Sequence, residues 1–254
     1  MRLRVWVISS LVLISSVLIM LTQGFRALSG DADTLLYLSK SQWAYSIFLT
    51  DIGPGLRVTL MQNPFLAGES VWSPDHHTLA IVSYWDSVDV NREIYAADVD
   101  KRAIYNISSH PANDFSPVWS PDSNHIAFVS ERDGNNEIYV VDVNGENLRR
   151  LTNHPAPDRE PQWSPDGTMI VFISERDGNG EIYLMNADGS NLCNLTNHPS
   201  HDYSPVWSPD SQKIAFISRR DANQEIYVVN VHDQELQELS NVPGSAFNVV
   251  WKAD

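Results

Sequence analysis

Short apolar runs alternate with turn residues along most of the chain, at the spacing of about eight to twelve residues that is typical of antiparallel strands. The clearest stretch contains residues 169–173, a nearly continuous apolar run that predicts a strand buried on both faces. Residues 177–180 have the composition of a hairpin turn, and 181–185 form the next predicted strand. A first strand is predicted to end at Trp163, and the more polar segment 191–195 predicts a fourth strand at an outer edge.

This pattern repeats along the chain, in most copies every 44 residues. The tetrapeptide Trp-Ser-Pro-Asp begins at Trp72, Trp119, Trp163 and Trp207, the last three copies lie 44 residues apart, and a degraded copy begins at Trp251. The tripeptide Glu-Ile-Tyr of the third predicted strand recurs in the same register. Four-stranded units of about 40 to 45 residues are typical of the blades of a β-propeller, so an all-β fold is predicted.

The two ends of the repeat region predict one shared blade. Residues 35–39, 47–51 and 57–60 match the second, third and fourth strands of the repeat, but no first strand precedes them. Residues 247–251 match the missing first strand at the other end of the chain. We therefore predict a five-bladed propeller of four-stranded blades over residues 35–254, closed by the C-terminal strand, which would remove two open sheet edges.

The repeats resemble a known family. The run from 151 to 191, LTNHPAPDREPQWSPDGTMIVFISERDGNGEIYLMNADGSN, and its neighbours are similar to the TolB-like, WD40-like (PD-type) propeller repeats of bacterial proteins. The resemblance implies a β-propeller and leaves the function open, because one fold can carry many functions. TolB itself resembles a six-bladed propeller preceded by an α/β domain, and we predict neither feature here.

The N-terminal segment predicts a membrane anchor. Residues 5–25 contain no charged side chain, and as a helix they would be long enough to cross a bilayer. Arg2 and Arg4 would hold residues 1–4 on the cytoplasmic side, so that the propeller lies in the periplasm or outside the cell, joined by a linker at 26–34. The alternative is a signal peptide cleaved near Ala27-Leu28-Ser29, which would make the propeller a secreted protein.

The charge and the cysteine content exclude one class of partner and one kind of cross-link. The formal net charge of −15 opposes the phosphate neutralisation on which nucleic-acid binding depends, so no nucleic-acid partner is predicted. Cys193 is the single cysteine, which excludes an intramolecular disulfide, and we predict that it is a small core residue.

His and Asp recur in the loops that enter the first strands. His110, His154 and His198 are each followed by proline and, four residues later, by an aspartate. Both side chains can bind a metal, and a ring of them on one face is one interpretation. The other is structural: Asp would cap loop amides, and His-Pro would set the crossover between blades. The aspartates are Asp114, Asp158 and Asp202.

Arginines recur in the turns between the second and third strands, at Arg132, Arg176 and Arg220, each five residues before the repeated glutamate. One interpretation is a cross-hairpin Arg–Glu pair, and the other is a face that contacts a charged ligand. Asp-Gly-Asn runs in the same turns resemble fragments of calcium loops but lack the full spacing. No cofactor is predicted, with calcium as the alternative.

An insert at 84–89 interrupts the repeat between the second and third strands and carries Tyr84, Trp85, Asp86 and Asp89. An aromatic side chain with flanking acids is typical of a recognition patch. Together with the repeated His, Asp and Arg, these residues form the predicted binding face.

We therefore predict a non-catalytic, monomeric propeller, anchored in the bacterial inner membrane, that binds a protein or peptide in the cell envelope. The alternative is a propeller that binds carbohydrate or hydrolyses glycosides. Hydrolysis would need two differentiated carboxylates, and the repeated aspartates show no such difference in sequence.

Overall fold

A computed structural model describes the protein at residues 34–40, 45–51, 57–63, 66–84, 91–101, 103–220, 223–239 and 249–251. Every regular element in those residues is a β-strand, which confirms the all-β prediction. An N-terminal sheet contains β1 (Thr34–Lys40), β2 (Tyr45–Asp51) and β3 (Arg57–Asn63).

Four further sheets, which we call blades A to D, each contain four antiparallel strands in chain order. Blade A contains β4 (Leu66–Trp72), β5 (Thr78–Ser83), β6 (Glu93–Asp98) and β7 (Ala103–Asn106). Blade B contains β8 (Asp114–Trp119), β9 (His125–Ser130), β10 (Glu137–Asp142) and β11 (Arg149–Arg150). Blade C contains β12 (Asp158–Trp163), β13 (Met169–Ser174), β14 (Glu181–Asn186) and β15 (Cys193–Asn194). Blade D contains β16 (Asp202–Trp207), β17 (Lys213–Ser218), β18 (Glu225–Asn230) and β19 (Leu236–Glu238).

The blades pack through their faces. The first strands of successive blades contact one another, so β4, β8, β12 and β16 lie innermost and the fourth strands lie outermost. Apolar side chains of the second and third strands fill the space between neighbouring blades, with Phe128, Phe172 and Phe216 fully buried. Burial of one such side chain stabilises the fold by about 1.5 to 3 kcal/mol. Of the predicted strand 169–173, residues 170–173 are buried as expected, whereas Met169 is half-buried.

The Trp-Ser-Pro-Asp motif builds a turn. In blade B, Ser120 Oγ donates a hydrogen bond to Asp122 and accepts one from the His125 backbone N–H, while Asp122 accepts the Asn124 N–H. Blade C repeats this arrangement, and Gly167 in its turn has a positive φ, of 73°. The motif is therefore part of the scaffold, because serine and aspartate satisfy backbone groups that the turn would otherwise leave unpaired.

The tryptophans of the motif join neighbouring blades. Trp119 donates its indole N–H to the Val71 carbonyl at 3.0 Å, and Trp207 donates to Gln162 at 3.2 Å. Trp251 makes the corresponding bond to Val206, at 3.0 Å, although residues 249–251 are not in a strand.

The structure corrects one predicted strand, and other predictions concern residues outside those described. The predicted fourth strand at 191–195 is only the two-residue β15, and Cys193 is half-buried against the apolar cluster between blades C and D, where burial raises the pKa of its thiol. Residues 1–33, with the predicted anchor, and 247–248, the start of the predicted closing strand, lie outside the described residues. The described part of the chain holds no helix long and apolar enough to cross a membrane.

Candidate functional site

One face of the blades carries most of the predicted binding residues. Because neighbouring strands run antiparallel, the start of the first strand, the end of the second and the start of the third meet at the same edge of each sheet. In blade B this edge brings together His110, Asp114, Arg132 and Glu137. We call the surface formed by these edges the loop face.

The repeated aspartates are buried and paired with arginine. Asp114, Asp158 and Asp202 are each inaccessible to solvent. The Nη2 atoms of Arg132, Arg176 and Arg220 lie 3.2, 2.9 and 3.0 Å from the respective carboxylates. Burial raises the pKa of the Asp158 carboxyl, against the opposing effect of hydrogen bonds from Ser174 and Arg176.

The predicted Arg–Glu pair across the hairpin is therefore wrong for these arginines. Arg132 turns inward because its Nε donates to Ser130 Oγ at 2.8 Å and its guanidinium lies over the Tyr139 ring, 4.7 Å from the centroid. The register pairs Ser130 with Asp114, so this orientation brings the guanidinium onto the aspartate. The idea that Asp caps loop amides is wrong as well, since Asp114 accepts its hydrogen bonds from the arginine.

Aromatic side chains complete each arginine site. Arg176 lies 4.6 Å from the Tyr183 ring centroid, and Arg220 lies 4.5 Å from that of Tyr227. The Tyr139 hydroxyl donates to Asp133, and burial together with this hydrogen bond raises the pKa of Tyr139. Stacking and ion pairing hold each arginine inside its own blade.

The repeated glutamate organises a second buried network. Glu137 accepts hydrogen bonds from Thr152 Oγ1 at 2.6 Å, Asn135 Nδ2 at 3.1 Å and the His154 backbone N–H at 2.8 Å. Arg150 Nη2 lies 3.1 Å from the same carboxylate. The network ties the third strand to the loop that leads into the next blade.

Blades A and C repeat this network. Glu93 and Glu181 accept from the asparagine two residues earlier at 2.6 Å each, and from the backbone N–H of the loop histidine.

The loop histidines also make local bonds. His110, His154 and His198 each accept a backbone N–H from the residue two positions later through Nδ1, at 3.1, 3.1 and 3.2 Å. These bonds favour the structural interpretation, in which the histidine sets the crossover. In the portion of the chain that the structure describes, no three His, Cys, Asp or Glu side chains are grouped as metal ligands.

A groove of about 620 Å³ opens on the loop face beside these networks. Its walls come from the loops that lead into blades B and C and from the turn between β9 and β10. All nine of the residues that line it lie outside the predicted set: Asn91, Pro111, Ala112, Asn113, Glu131, Gly134, Asn135, Asn136 and Pro157. They were missed because the prediction followed the repeated polar residues, whereas several of these positions differ between blades.

The insert is only partly described. Tyr84 is half-buried directly after β5, while Trp85, Asp86 and Asp89 lie outside the described residues.

A second groove, of about 520 Å³, opens on the opposite face between blades B and C. Its walls include His125, Arg149 and Trp163, and the His125 and Trp163 rings lie 6.4 Å apart.

The fold is that of β-propeller blades, and comparison with known proteins assigns the family. The family model for the TolB β-propeller domain matches residues 10–154 and 116–198. The chain therefore belongs to the TolB β-propeller family, which confirms the resemblance inferred from the repeats.

Solved structures with similar folds include TolB proteins and an enzyme. TolB from Acinetobacter baumannii is 25% identical with a TM-score of 0.59, and the match covers 81% of this chain and 52% of that one, so this chain spans about half its length. A putative TolB from Agrobacterium tumefaciens is 22% identical with a TM-score of 0.57, over 80% of this chain and 76% of that one. Oligogalacturonate lyase from Vibrio parahaemolyticus is 18% identical with a TM-score of 0.65, over 83% and 62%. The last two matches show a shared fold alone.

Proposed function

We propose that this chain is a non-catalytic scaffold that binds a protein or peptide partner through the loop face. One observation carries the proposal. The repeated Asp, Glu and Arg side chains form bonds inside the blades, whereas several residues that line the adjacent groove differ between blades. A groove with small, polar and proline-rich walls suits an extended segment of another chain. Function in such folds resides in loops carried by a rigid scaffold.

We further propose a closed ring of five blades, held outside the cytoplasm by residues 5–25. The uncharged run at 5–25 supports the anchor. The bond from Trp251 to Val206 supports closure, because it repeats the contact that Trp207 makes with the preceding blade. An alkaline phosphatase fusion after Asp254 should be active in intact bacteria, and an inactive, stable fusion would contradict the proposed placement.

The binding proposal is tested by capture with the full-length protein in mild detergent from solubilised bacterial envelope. We expect a defined protein to be retained by the wild type and lost with Pro111→Trp, because the larger side chain fills the groove. Pro199→Trp is the matched control, since Pro199 occupies the equivalent exposed loop leading into blade D and does not line the groove.

The same protein applied to a glycan array distinguishes the carbohydrate alternative. Retention of glycans that depends on Pro111, together with no variant-sensitive protein in the capture, would overturn the proposal. Equal capture of the same protein by wild type and both variants would place binding elsewhere on the molecule.

A further inference from the structure

In blades B and D, the residue directly before the buried aspartate caps a backbone N–H of the preceding blade. Asn113 accepts the Arg92 backbone N–H through Oδ1 at 3.0 Å, which joins blade B to blade A. His201 accepts the Gly180 backbone N–H through Nδ1 at 2.9 Å, which joins blade D to blade C. In both cases the donor is the residue before the third-strand glutamate.

Blade C lacks this cap at its contact with blade B. The capping position is Pro157, whose side chain has no hydrogen-bond acceptor, and the N–H that it should cap belongs to Asn136. Among the described residues, the Asn136 backbone N–H donates no hydrogen bond. Asn136 is half-buried, and both Asn136 and Pro157 line the loop-face groove. This N–H can therefore donate to an acceptor on a chain bound in the groove.

A second difference between blades B and C concerns Glu131, which lines the same groove. In blade C, Glu175 forms an ion pair with Arg159, with Arg159 Nη2 2.5 Å from its carboxylate. The position equivalent to Arg159 in blade B is Phe115, whose ring is covered by the Arg92 guanidinium at 4.4 Å. Glu131, the equivalent of Glu175, accepts one hydrogen bond from Asn113 Nδ2 at 2.7 Å and has no cation within 4 Å among the described residues. It also lines the groove.

We infer that this groove binds an extended peptide that carries a lysine or arginine. A backbone carbonyl of the peptide accepts the Asn136 N–H, and its cationic side chain lies against the Glu131 carboxylate. The inference rests on the proposed function and deepens it by naming the class of partner. The net charge of −15 favours the approach of a basic segment and opposes an anionic ligand. A neutral sugar would supply an acceptor but no cation for Glu131.

The test starts from selection of a randomised heptapeptide library on the full-length protein in mild detergent. We expect the selected peptides to contain lysine or arginine. Pro157→Asn supplies the cap that Asn113 provides in blade B, so it should weaken peptide binding at least about fivefold, the value of one hydrogen bond. Glu131→Gln keeps an acceptor for Asn113 but removes the charge, so it should weaken binding about tenfold and reduce the salt dependence of the affinity.

Matched measurements separate binding from folding. Glu175→Gln makes the same chemical change at the paired glutamate of blade C, outside the groove, and should leave peptide affinity unchanged. Pro157→Asn should unfold at the same temperature as the wild type or higher, because it adds a cap. Replacing lysine or arginine in a selected peptide by norleucine should reduce wild-type affinity and have no effect on Glu131→Gln.

The outcomes distinguish the inference from the function on which it rests. Peptides that bind wild type, Pro157→Asn and Glu131→Gln equally would overturn the groove assignment while leaving peptide binding in place. Selected peptides without basic residues would overturn the chemical class. No enrichment of any peptide would overturn the inference and count against the proposed function as well.

Discussion

Blades B and C are built from the same repeat but differ where they meet the groove. Both bury an Asp–Arg pair, stack the arginine on a tyrosine and bury a glutamate that accepts a threonine hydroxyl. Their differences include the aligned pairs Asn113 and Pro157, and Phe115 and Arg159, and the bonding of the shared Trp119 and Trp163. The shared Asp, Arg and Glu side chains are bonded within the scaffold, whereas the proposed binding groove includes residues that the two blades do not share.

The largest effect is expected from breaking the shared Asp–Arg pairs. Arg176→Met leaves Asp158 buried without its cation and should lower the free energy of unfolding by about 3 to 5 kcal/mol. Arg132→Met should cost a similar amount in blade B, because Asp114 is equally buried. Denaturant unfolding of the two variants measures this directly.

The double variant Asp158→Leu with Arg176→Met is the control, since removing both charges of a buried pair is often close to neutral. Blade A offers a natural parallel: Leu66 pairs with Ser83 as Asp158 pairs with Ser174, and Trp85 takes the sequence position of the arginine. If Arg176→Met and the double variant are equally destabilised, the ion pair is not what stabilises the blade.

A smaller effect is expected from the buried glutamates, and here the blades should differ. Glu181→Gln places an amide N–H₂ among donors from Asn179, Thr196 and His198, and should cost about 2 kcal/mol in unfolding free energy. Glu137→Gln also loses the contact with Arg150 and should cost about 1 kcal/mol more. Equal losses, measured by denaturant unfolding, would mean that the partly exposed Arg150 contributes nothing.

Much of the scaffold could be predicted from the sequence because its signals are local. Alternation, turn residues and a constant period gave the strands of the blades, and the Ser-Pro-Asp turns form the bonds expected of their residue types. The partner of Arg132 could not be predicted, since Asp114 and Glu137 both lie at the same sheet edge. The choice depends on Ser130 Oγ and the Tyr139 ring, which only the packed blade brings together.

The groove escaped prediction for a different reason. The replacement of asparagine by proline at 157 is visible in the sequence, but its meaning depends on knowing that Asn113 reaches across to the Arg92 N–H. The predicted binding face followed the repeated His, Asp and Arg residues and the insert at 84–89, and it included none of the residues that line the groove. Repeated residues are readily recognised as scaffold. The proposed groove is instead marked by a cap that blades B and D have and blade C lacks.

Substitution of the tryptophans tests whether a hydrogen bond that one blade lacks affects stability, and the expected difference in unfolding free energy is about 1 kcal/mol. Trp119→Phe removes the indole bond to Val71 and should cost about 1 kcal/mol more than Trp163→Phe, because the buried Trp163 Nε1 has no partner within the described structure. Thermal and denaturant unfolding of the two variants provide the comparison, and Trp207→Phe should behave like Trp119→Phe. An equal loss from all three would mean that ring packing alone holds the blades together.

The smallest effect concerns the loss of stability at acid pH. Burial tends to raise the pKa of Asp122, but hydrogen bonds from Ser120 and from the Asn124 backbone N–H outweigh it and lower the pKa to about 2. A carboxyl whose pKa is lower in the folded state stabilises the protein above its unfolded pKa, near 4, and loses that contribution as the pH falls towards 2. Its side chain is 56% exposed, so solvent screening keeps the effect below about 1 kcal/mol. Asp122→Asn should therefore flatten the decline in stability between about pH 4 and pH 2, and an unchanged slope would show that the turn does not depend on the ionised carboxylate.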